Sequence, residues 1–273
     1  MLNGVMLLWW ILTIPSFLFV VIDIWRNAPE SPVLKWAFVI LTAFTGPFGA
    51  FFYVLGCREP IRGTHDEYVA ARWRQVLGST MHCVAGDGIG IVVAAAVGSG
   101  LALSFWPDFL FEYALGFGFG WAFFQAFAMR DMAGGSYLAS LKMTFLPELL
   151  SMNLLMAGMV LTSSFAMMRV AGADNPTRPQ FWFVMSMALL VGFVCAYPIN
   201  WWLVAHHMKH GMLTVRREPE PTPMAGMAMG HTSGRTPEQS PAQQPTAGVK
   251  AAMTVASFAI LGAALGTVVR FGM

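Results

Sequence analysis

Met81-His82-Cys83-Val84-Ala85-Gly86-Asp87 places a thioether, an imidazole, a thiol and a carboxylate within seven residues. The surrounding stretch, residues 77–103, is apolar and long enough to cross a bilayer as a helix. An ionisable group at that depth is costly and marks a functional site until a partner accounts for it. At 100° per residue, Cys83 and Asp87 fall about 40° apart and share a helix face. His82, Gly86 and Gly90 form a neighbouring stripe whose glycines admit a close helix. Met, His and Cys together suit soft ions, copper(I) above all. The competing reading is a packing seam with a polar edge, and the residues alone leave both open.

A complementary stripe runs through residues 139–161. Glu148, Met152, Met156 and Met159 follow helical spacing and occupy an arc of about 80°. A carboxylate leading into thioethers offers weak sequential sites, which conduction of a soft monovalent ion requires. A methionine-filled helix interface competes with that reading. A third group is Met224-Ala-Gly-Met227-Ala-Met229-Gly-His231, where thioethers and an imidazole on flexible chain can wrap a copper ion. The candidate metal ligands are therefore His82, Cys83, Asp87, Glu148, Met152, Met156, Met224, Met227, Met229 and His231. The expectation is that His82, Cys83 and Asp87 face Glu148, Met152 and Met156 across one helix interface.

The elements that must position these residues follow from composition. The 273 residues are 56% hydrophobic and 11% charged, with mean hydropathy +0.60. Soluble domains carry about 25% charge, so the fold class is all-α, a polytopic transmembrane helical bundle without a soluble domain. Seven apolar segments can be read: 5–24, 33–55, 77–103, 109–129, 139–161, 181–204 and 251–269. Gly46-Pro47 predicts a kink in the second, and Gly116-x-x-x-Gly120 and Gly262-x-x-x-Gly266 are spacings that admit close helices. If all seven cross, alternate connections carry eleven Lys/Arg against five, which predicts an N-terminus inside.

The organisation read from the sequence is two N-terminal helices and a polar loop (1–72), a four-helix core (73–212), a disordered Pro/Met/His linker (213–249) and a last helix (250–273). Cys57, Cys83 and Cys195 are odd in number and far apart, against a disulfide framework. Asn200 beside Pro198 reads as a structural residue bonding freed backbone.

Within residues 73–212, Met81-His82-Cys83-x-x-Gly86-x-x-x-Gly90, Glu148-Leu-Leu-Ser151-Met152, Tyr197-Pro198-Ile199-Asn200-Trp201-Trp202-Leu203 and His210-Gly211-Met212 occur in order. In these the chain resembles the bacterial integral-membrane family of domain of unknown function 4396 (DUF4396). The resemblance implies an inner-membrane protein and metal handling. The family tends to carry Asp near the position of Glu148 and further acids later in that helix, where this chain has Met156 and Met159. If the family's acids bind a cation, this member has exchanged hard ligands for soft ones.

The leading expectation is thus a membrane protein that binds or transports a soft transition metal, most plainly a copper ion. Its partners would be the lipid bilayer and a membrane complex or homo-oligomer, with no nucleic acid. A non-catalytic subunit docking through Gly-rich and aromatic faces is the second reading. A haem protein is the third, weakened by the lack of a second intramembrane His. No nucleophile–base pair, phosphate loop or hydrolase motif argues for an enzyme.

Overall fold

The computed structural model describes residues 2–61, 63–130, 133–212 and 245–271. Met224, Met227, Met229 and His231 lie outside the described residues. The elements are α1 (Leu2–Asn27), α2 (Pro32–Thr45), α3 (Pro47–Gly56), α4 (His65–Val69), α5 (Arg72–Gly100) and α6 (Phe105–Phe119). A π-helical turn (Gly120–Gln125) leads into α7 (Ala126–Ala128), then α8 (Tyr137–Met167), α9 (Pro179–Ala205) and α10 (Ala247–Phe271). No strand occurs among the described residues. Five helices, α1, α5, α8, α9 and α10, are long and apolar enough to cross a membrane. The protein is a multi-pass helical membrane bundle.

The other two apolar segments are interrupted. Ser31 caps α2 and Pro32 opens it; Gly46, at φ 56°, ends it, and Pro47 starts α3 where its missing N–H costs nothing. This break is a reversal rather than the expected kink. Tyr53 near the end of α3 donates to Asp23 Oδ2 at 2.7 Å, and Arg58 Nε reaches the same oxygen at 2.7 Å. Asp23 lies in the last turns of α1, so α3 ends on the side where α2 began. The tip of this hairpin packs Gly46 onto Thr13, halfway along α1, and a Cβ there would meet the Thr13 side chain. The second segment therefore enters and leaves on one face. Backbone that turns at membrane depth must be covered by protein, and Phe38, Tyr53 and Thr42 are fully buried there.

Reversing this segment corrects the predicted topology. The end of α1, both ends of the hairpin, the start of α5, the end of α7, the start of α8, the end of α9 and the start of α10 all share one face. That face carries nine of the twelve Lys/Arg among the described residues; only Arg169, Arg178 and Arg270 lie opposite. It is the basic face below. Cysteines introduced at Arg26 and Pro60 should both react with an impermeant maleimide from the same side, above the background of the native thiols. Labelling from opposite sides would restore a crossing second segment.

The core joins α8 to α9 and α5 to α6. The α5–α6 seam is set by glycines on both helices: Gly90 lies against the Leu115 carbonyl and Gly116 Cα, and Gly86 against Gly120 and Phe124. The stripe read on α5 and the spacing read on α6 are each other's partners. Tyr113 donates to Asn153 Oδ1 at 2.6 Å, and Asn153 Nδ2 donates to Ser257 at 3.0 Å, tying α6, α8 and α10 together.

Candidate functional site

Cys83 and Asp87 stand one turn apart on α5 and face Glu148 on α8, as their shared helix face requires. Cys83 Sγ is 3.3 Å from Asp87 Oδ2 and 3.3 Å from Glu148 Oε1. All three side chains are fully buried, and one ligand atom from each lies within 4.8 Å of the others. Asp87 packs against Gly120, where a Cβ would collide with Oδ1. The glycine seam thus makes the room that the carboxylate fills.

The counter-ion is Lys209. Its Nζ lies 2.8 Å from Glu148 Oε2 and donates to Ser151 Oγ at 2.8 Å; Ser151 in turn donates to Asn200 Oδ1 at 2.7 Å. Asn200 therefore serves this polar chain rather than backbone freed by Pro198. The segment after α9 folds back because His207 takes a positive φ of 54° and the amides of Met208 and Lys209 both reach the Leu203 carbonyl. Gly211 then sits against Gln75, and Met212 packs between Gly56 and Gly78. Burial works against the Lys209 ammonium, but Cys83, Glu148 and Asp87 around it outweigh that and hold its pKa above the usual lysine range.

His82 takes no part in the Cys83–Asp87–Glu148 group. Its ring lies 5.5 Å from Phe124 and 5.4 Å from His210, centroid to centroid. Met152 is buried with its methyl beside Gly116, close to the Asp87 backbone. Met156 lies in the apolar core, and Met159 turns to Gly192 on α9. Two of the three expected α5 ligands therefore meet the α8 carboxylate, while the thioether stripe does not continue that face. Lys209 and His210 went unrecognised in the sequence because they follow the last helix residue and read as interfacial. The signal was electrostatic: two buried acids demand a cation, and Lys209 stands just beyond α9 within the same run of residues.

Residues 72–209 match the domain of unknown function 4396, half of the chain. The protein belongs to the DUF4396 family. The matched part holds the whole acid group with Ser151, Asn200 and Lys209, whereas α1, the α2–α3 hairpin and α10 are additions around it. No curated protein and no solved structure matches the chain.

Proposed function

We propose that this DUF4396 protein binds a transition-metal cation inside the membrane and passes it through the bundle. The observation that carries this is the convergence of a thiol and two carboxylates from α5 and α8 with a buried ammonium on one of the carboxylates. Such a group is expensive in a bilayer unless it serves an ion. A mixed thiolate–carboxylate set fits zinc-like divalent ions better than copper(I), which prefers thiolate, thioether and imidazole without carboxylate. Charge supports the same ranking: thiolate, two carboxylates, one ammonium and a divalent ion sum to zero. By the positive-inside rule the basic face is cytoplasmic, and the family resemblance supports a bacterial inner membrane.

Purified protein should bind one Zn(II) or Co(II) more tightly than Cu(I) and release protons as it does so. Cys83→Ser and Glu148→Gln should each weaken binding at least tenfold, about 1.4 kcal/mol. Isothermal titration beside a thiolate-to-Co(II) absorption band reads this. Unchanged affinity in both variants would exclude the site; a preference for Cu(I) would return the ion to the softer class.

A further inference from the structure

His82, Gln125 and His210 are buried beside the acid group but do not belong to it, and they come from three elements. His82 precedes Cys83 on α5, His210 follows Lys209, and Gln125 ends the π-helical turn. Each of the two paired segments therefore supplies one residue to the acid group and its neighbour to this one. His210 Nδ1 lies 2.8 Å from the Gly211 carbonyl. A carbonyl only accepts, so Nδ1 carries the proton and Nε2 presents its lone pair. That is the arrangement by which a backbone carbonyl fixes the tautomer of a metal-ligating histidine.

His210 Nε2, His82 Nε2 and Gln125 Oε1 are all buried and make no well-formed hydrogen bond among the described residues. Gln125 is nonetheless a polar neighbour of His82, and the two imidazole rings stand 5.4 Å apart at 69°. Leaving one such atom buried and unpaired costs about 1–3 kcal/mol, so three in one place point to a ligand. A π turn is itself a feature that recurs at functional sites, because its extra residue redirects side chains.

We infer that His82, His210 and Gln125 form a second cation position, nearer the basic face than the acid group, through which the same divalent ion is loaded. This rests on the proposed function. The donors are neutral, two imidazole nitrogens and an amide oxygen, a set that zinc-like ions accept. The compensating charge is Glu148 and Asp87 one step further in. Repulsion between two dications so close means that the positions are used in turn, one ion at a time.

The test is stopped-flow loading of Co(II) into detergent-purified full-length protein, read by the thiolate band of Cys83. His210→Gln and His82→Gln should slow loading at least tenfold while the final band remains. Cys83→Ala should lose the band yet retain a weaker-bound ion whose X-ray absorption shows imidazole scattering. Normal loading rates in both histidine variants, or no imidazole signature in Cys83→Ala, would overturn the second position. Monodisperse elution checks that each variant is folded, with His210→Gln as the arm that leaves α5 untouched. If the unaltered protein binds no Co(II) at all, the proposed function itself fails, an outcome distinct from either of these.

Discussion

Lys209→Met should destabilise the fold by about 3–5 kcal/mol, the cost of removing one partner from a buried ion pair. Methionine replaces the stem of the lysine and leaves the packing nearly filled, so the loss reports the charge. Glu148 would then keep a buried carboxylate whose partner at 2.8 Å has gone, and Ser151 would lose the ammonium that donates to it. At about 2–4 °C per kcal/mol, thermal unfolding in detergent should begin some 10 °C lower. Adding Glu148→Gln should recover most of this, because a neutral amide no longer needs a cation. An unchanged melting temperature in Lys209→Met would mean that the pair is not formed in the folded protein. A deficit that the double variant fails to recover would assign the effect to lost packing.

Gly90→Val and Gly266→Val should behave oppositely, although both alter a glycine of a four-residue small-residue spacing. A side chain at Gly90 meets the Leu115 carbonyl and Gly116 Cα, which are backbone and cannot rotate away. The seam must open, at a cost of about 1–3 kcal/mol or more. Because Asp87 sits on the same seam against Gly120, metal affinity should fall with stability. At Gly266 nothing lies within 4 Å of the added carbon, and valine is the better helix former. That variant should melt within about 1 °C of the parent. Thermal unfolding and Co(II) titration of the two side by side check this; equal losses would mean that the Gly266 face is covered in the purified protein.

This pair also shows where reading the sequence stops. Gly86, Gly90, Gly116, Gly120, Gly262 and Gly266 follow the same local rule, and only the packing separates a filled seam from an open face. The acid group was legible because Cys83 and Asp87 share a helix face and an intramembrane carboxylate needs an account; Glu148 could be named for the same reason. Their meeting was not legible, since no periodicity says which helices are neighbours. The methionines were over-read: helical spacing put Met152, Met156 and Met159 on one arc, yet Met152 turns towards α6, Met156 lies in the apolar core and Met159 faces α9.

The sequence by itself determined a helical membrane protein, through its apolar runs and sparse charge. It also located the apolar segments within a few residues, because burial in lipid leaves helices as the one solution for an open chain. Tertiary structure alone decided that the second segment turns back at Gly46-Pro47, since a break and a reversal share the same residues. Asp23, contacting both Tyr53 and Arg58, distinguishes the two. It also decided that Lys209 supplies the charge opposite Glu148. That contact spans 61 positions of sequence, and it depends on a backbone turn at His207 that no propensity announces. The Cys83–Asp87 pair names the chemistry; the fold supplies the carboxylate and the cation that complete it.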